Sequence, residues 1–74
     1  MTSAADWYAT DYEFRQLCGD AQSQARSEGD QEFAAEMMLK ANRHGLGTYI
    51  TVNQLAWLCR IADHKVPARI AAET

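Results

Sequence analysis

The stretch His44 to His64, HGLGTYITVNQLAWLCRIADH, leaves this chain the least freedom in how it folds. Thr51 and Gln54 stand in the T-x-x-Q spacing of a capping box, in which each side chain satisfies a backbone amide that a first helical turn leaves unpaired. Ile50 before the cap and Leu55 at the fourth helical position are placed to close as a hydrophobic staple. Upstream, Gly45 suits the left-handed conformation that ends a helix, and Gly47 keeps the connection flexible. Two helices therefore meet across a short loop.

Similar grammar organises the rest. Thr10 and Glu13 form a second capping-box pair, and Ser3 with Asp6 a weaker one, so the first helix starts near Asp11, or near Ala4 if the earlier cap prevails. Residues 1–9 are expected to fray. Phe14, Leu17, Cys18, Ala21 and Ala25 share one stripe at helical spacing, and Trp7 extends it if the helix starts early. The run Ser23 to Asp30, SQARSEGD, loses the stripe and reads as a loop, with Asp30 as the next cap. Phe33, Ala34, Met37, Met38 and Ala41 then make an apolar face with the two methionines as core filler, while Glu36 and Lys40 form a favourable i,i+4 pair. Arg43 and His44 fall in the last turn, where the helix dipole favours cations. In the third helix Val52, Leu55, Leu58, Cys59 and Ala62 share the inward arc. Trp57 and Ile61 lie nearly opposite it and need cover from the N-terminal segment, from Val66 to Ala72, or from another molecule. Pro67 breaks the chain after Lys65, with Ala68 to Ala72 a possible last turn. Thr48 to Val52, TYITV, has strand propensity, but a lone strand has nothing to pair with in so small a chain.

The spacing predicts an all-α, three-helix domain with helices over 10–27, 31–44 and 51–65. At 74 residues the chain makes one domain, spanning 1–74, of a size that buries roughly 60% of its unfolded surface. One Pro and four Gly favour helices over a turn-rich sheet. No apolar run follows a basic start and none is long enough to span a bilayer, so a cytoplasmic protein is expected.

Charge is uneven. Residues 1–36 carry eight acids against Arg15 and Arg26, a net of −6, whereas residues 37–74 carry a net of +3. Either the halves attract each other within the fold, or an acidic face docks on a basic partner.

Chemistry finds little purchase. Cys18 and Cys59 sit on apolar faces and read as buried free thiols, and with His44 and His64 they show no metal-ligand spacing, so neither a metal nor a cofactor is expected. The G-x-G of Gly45 to Gly47 follows no strand and is no phosphate loop. Two helices joined across Gly45 resemble a helix-turn-helix, but the connection to Thr51 is about twice the usual three or four residues. Few cations are available to neutralise phosphates, and the acidic half would repel a duplex.

From Glu32 to Ala62 the pattern E-F-A, M-L, G, I-T-x-x-Q and W-L-x-x-I-A, matched at Phe33, Met38, Leu39, Gly45, Thr51, Gln54, Trp57, Leu58 and Ile61, resembles a segment of small phage-encoded helical proteins. In size and charge the chain also resembles the small acidic proteins that lytic phages make to bind host machinery. That resemblance implies a non-enzymatic regulator in the bacterial host cell, binding a larger protein complex with RNA polymerase as first candidate. Its anchors would be Trp57 and Ile61, or Tyr8 and Tyr12, with Asp11 and Glu13 in the acidic encounter face. The alternative is an accessory factor of phage DNA replication or recombination that touches nucleic acid through Arg43, Arg60, Lys65 and Arg69. A homodimer through Trp57 and Ile61 stays open.

Overall fold

A computed structural model describes residues 3–65, and among these the expected all-α architecture is present. The chain forms α1 (Asp11–Gln24), α2 (Glu28–His44) and α3 (Val52–Ala62), with single 3-10 turns at Ala4–Asp6 and Gly45–Gly47. Both other helices pack principally on α1. The core is built from the predicted stripes: Phe14, Leu17, Cys18 and Ala21 of α1, Phe33, Ala34, Met37 and Ala41 of α2, and Leu55, Leu58, Cys59 and Ala62 of α3 are all buried. Val52, Met38 and Ile61 pack half-buried at its margin.

Helix boundaries follow the caps, with three corrections. α1 ends at Gln24 rather than residue 27, because Ala25 turns to extended backbone while its N–H still closes on the carbonyl of Ala21. α2 begins at Glu28 rather than residue 31, because Ser27 and not Asp30 is its cap, the Ser27 hydroxyl accepting from the Asp30 N–H at 3.2 Å. α3 ends at Ala62 rather than residue 65. There Asp63 enters the left-handed region (φ 58°, ψ 37°), which an aspartate tolerates better than most residues. Its N–H then reaches the Arg60 carbonyl, and that of His64 reaches Cys59, the paired bonds of a Schellman close. The Thr51/Gln54 box is formed in both directions at 3.1 Å, with Ile50 and Leu55 buried beside it.

Both early caps are used. Thr10 caps α1, and the Ser3/Asp6 box holds the Ala4–Asp6 turn. From Ser3 onward the segment expected to fray is packed: Ala4 is fully buried, its N–H donates to the Thr48 carbonyl at 2.9 Å, and Ser3 pairs with Tyr49 in an isolated antiparallel bridge. The extended piece at Thr48 to Ile50 therefore does find a partner, namely the N-terminal segment that the sequence pattern left loose.

The chain between α2 and α3 is likewise fixed. Gly45 ends α2 at φ 55°, ψ −129°, a conformation outside the left-handed helical well and open in practice only to glycine. A Cβ there would lie 2.7 Å from Asp11 Oδ1, which itself accepts from the Leu46 N–H at 3.0 Å. Thr48 is buried, and its single hydroxyl hydrogen is shared between the carbonyls of Gly45 (2.9 Å) and Lys40 (3.1 Å), two acceptors at the open end of α2.

Candidate functional site

Trp57 projects from the flank of α3 toward α2. Its ring stacks on Phe33 with centroids 4.0 Å apart and planes 3° from parallel, and its Nε1 donates to Asp30 Oδ1 at 2.9 Å. Cover for this side of α3 thus comes from the first turns of α2, an element absent from the three sources anticipated; Val66 to Ala72 lies outside the described residues. Ile61 is half-buried against the core. One flank of Trp57 still reaches solvent, at 37% relative exposure.

The aromatic and acidic side around the start of α1 divides into an inner and an outer part. Tyr8 turns inward. Its ring lies 5.9 Å from that of Phe14, its hydroxyl is 3.8 Å from Cys59 Sγ, and burial, reinforced by Cys59, holds its phenol well above the usual range. Tyr12, on the next turn of chain, is 73% exposed. Asp11 and Glu13 flank it, but both are already engaged within the fold. Asp11 holds the Leu46 amide and pairs loosely with Arg15 at 4.0 Å, and Glu13 accepts from the Ala9 N–H at 3.4 Å. Their charges shape the field at this face more than they offer free hydrogen-bonding groups.

The described candidate cations lie at or just beyond the ends of α2 and α3. Arg43 is in the last turn of α2, Arg60 in the last turn of α3, and Lys65 beyond it, all exposed, while Arg69 lies outside the described residues. Lys40 pairs with Glu36 at 3.4 Å as predicted, an exposed i,i+4 contact worth about 0.3–0.5 kcal/mol.

The sulfur and imidazole groups are dispersed. Cys18 and Cys59 are free and buried, and desolvation raises both thiols, Cys18 to about 12, so that they stay protonated at neutral pH. A thiolate nucleophile needs the reverse shift. His64 Nε2 is 2.7 Å from Asp20 Oδ2, and Gln24 Nε2 donates to the Ala62 carbonyl at 3.0 Å, so the end of α3 is clasped to α1. Among the described residues no three His, Cys, Asp or Glu groups are placed to hold a metal ion, and no helix is long and apolar enough to cross a membrane.

One feature escaped the sequence reading. Leu39 and Tyr49 are each 66% exposed, and the surface between them is hollowed into two adjoining cavities of about 190 and about 420 Å³ that share Lys40 and His44. A signal for Leu39 was present. At ~100° per residue it falls on the opposite side of α2 from the Phe33–Ala41 stripe. One for Tyr49 was present too: with Thr48 to Ile50 extended and Ile50 turned inward, side chains alternate and Tyr49 faces out. No protein-family model, curated protein or solved structure matches this chain.

Proposed function

We propose that this chain is a non-enzymatic regulatory protein that acts by binding a larger protein assembly, with bacterial RNA polymerase the first target to test. One observation carries the reading: after the core has closed, Tyr12, Leu39, Tyr49 and part of Trp57 remain on the outside of a very small domain. Large apolar and aromatic side chains at a surface are the usual material of interface anchors. The acidic field around Tyr12 favours encounter with a basic patch on the partner. The choice of polymerase, and a phage origin acting in a bacterial cytoplasm, rest on the resemblance in size, charge and segment pattern described above.

The immobilised chain should retain the polymerase from bacterial lysate and bind the purified enzyme. Tyr12→Ala should weaken that binding about tenfold while leaving stability within about 0.5 kcal/mol, as expected for an exposed site. Failure of the wild-type chain to bind purified polymerase removes polymerase as the partner, and reproducible retention of no protein at all overturns the reading. The exposed positions of Arg43, Arg60 and Lys65 support the second reading, an accessory DNA-binding factor in replication or recombination. It predicts a gel shift at low salt that fades as salt is added, where the protein-binding reading predicts a blank.

A further inference from the structure

Leu39 and Tyr49 project from different elements toward one groove, and its walls are held before anything binds. α2 supplies one wall. The other is the Gly47 to Tyr49 segment, fixed by the Thr48 hydroxyl on the carbonyls of Lys40 and Gly45, by the Ser3–Tyr49 bridge, and by the Asp11 contact to Leu46. A groove fixed in this way needs little ordering on binding, which favours affinity.

Its chemistry is mixed in a definite order. Leu39 and Tyr49 stand exposed at the two ends, while Lys40, Arg43 and His44 line the hollow. Lys40 is held by Glu36 in an exposed pair, the kind that an incoming carboxylate can replace at little cost. The Arg43 guanidinium has no ion-pair partner among the described residues and offers the planar fork that matches a carboxylate.

We infer that this groove docks an acidic, amphipathic helical segment of the partner protein, with two apolar side chains covering Leu39 and Tyr49 and carboxylates meeting Arg43 and Lys40. The inference rests on the protein-binding reading above and adds a second contact on the partner, an acidic helix distinct from the basic patch that meets the Tyr12 face. Glu36 on the rim and the chain's net charge of −3 oppose a polyphosphate, whereas a peptide brings only a few spaced carboxylates. A helix presents its anchors three or four residues apart on one face, the form in which a groove of this kind is commonly read.

The test uses two labelled peptides of about four helical turns, with the same Leu and Phe anchors, one flanked by Glu and the other by Lys. Each is titrated against the full chain by fluorescence anisotropy, and the contacted amides are mapped by NMR. The Glu peptide should bind, shift amides between residues 36 and 49, and weaken with salt. Leu39→Asp and Arg43→Glu, both at exposed positions, should each reduce its affinity about tenfold with the melting temperature unchanged. Equal binding of the Lys peptide overturns the inference, as do amide shifts confined to other faces. Sedimentation showing a dimer that Arg43→Glu dissolves also overturns it, since a second copy would then occupy the groove. If Leu39→Asp and the wild-type chain capture polymerase equally well, the groove is wrong and the protein-binding reading stands. If the Glu peptide binds here but no cellular protein is retained, the groove stands and that reading fails.

Discussion

Between α1 and α2 the chain takes only Ala25 to Ser27, all at or near the surface. Between α2 and α3 it runs from Gly45 to Thr51 and buries Gly45, Thr48 and Ile50. The first connection is held by local bonds, the Ser27 cap and a contact from Gln31 Nε2 to the Ala25 carbonyl at 3.3 Å. The second is held from elsewhere, by Asp11 of α1 and by Ser3 and Ala4 at the start of the described chain. Three short helices enclose a limited volume, and in a chain of this size the apolar surface they leave uncovered is a large share of the total. The longer connection and the N-terminal turn supply the missing wall. They form a structural unit, whereas Ala25 to Ser27 is a short surface link held only by its own neighbours.

That contrast can be broken by alkali, where the largest effect is expected. Tyr8, just past the N-terminal turn, packs on the core with its hydroxyl 3.8 Å from Cys59 Sγ. Burial raises Tyr8, Cys18 and Cys59 together, so the folded state favours their neutral forms. The resulting stabilisation is complete below the ordinary thiol value of 9.0 and is lost as pH rises toward the folded value of about 12 for Cys18. Circular-dichroism melts should therefore show no pH dependence from these groups near neutrality and a steep fall in melting temperature across that window. A melting temperature level through the window would mean that these groups titrate as they do in the unfolded chain, Tyr8 beside the N-terminal turn among them.

Next in size is Gly45→Ala, which places a methyl group against the Asp11 carboxylate and demands a backbone conformation that alanine resists. A loss of about 2–3 kcal/mol is expected in chemical denaturation. Adding Asp11→Ala removes the crowding but not the backbone strain, so it should not restore stability. Full restoration would show that crowding alone matters and that the second connection is less constrained than its geometry indicates. Thr48→Val, which keeps the shape and removes the shared hydroxyl, should cost about 1–2 kcal/mol.

How much of this was legible depended on whether a residue's partner lay within a few positions of it. The Thr51/Gln54 box, the Thr10 cap, the Glu36–Lys40 pair and the three apolar stripes are local patterns, and each appears where the spacing put it except for Ala25, which lies just past α1 and is only half-buried. Asp30 shows where local reasoning fails. The run Ser-Glu-Gly-Asp offers two caps, and the earlier one is used while Asp30 accepts from Trp57, a residue 27 positions away. A comparable distance hid the cover of Trp57 by Phe33. Of the candidate site, Tyr12 and Trp57 were visible as aromatics lying off the core stripe, and Leu39 was visible in principle. Tyr49 was too, as the neighbour of inward Ile50 in a strand-prone stretch, whereas its pairing with Ser3 is encoded by no periodicity.

The smallest effects belong to the first connection, and they sharpen the contrast most directly. Ser27→Ala removes a cap from an exposed turn and should cost about 1 kcal/mol. Two residues inserted after Arg26 should add only a few tenths of a kcal/mol, because closure entropy grows slowly with loop length and no buried group must move. The same insertion after Gly47 would displace Thr48 from the carbonyls it bridges and Tyr49 from Ser3, and it should cost several times more. Hydrogen exchange on the two insertion variants locates the damage: for the insertion at 26, protection is lost only at the start of α2. For the insertion at 47 it is lost from Ala4, Leu46 and Thr48 together, because their amides belong to one bonded unit. Equal tolerance at both sites would mean that the second connection is an ordinary loop resting on a core already closed by three helices.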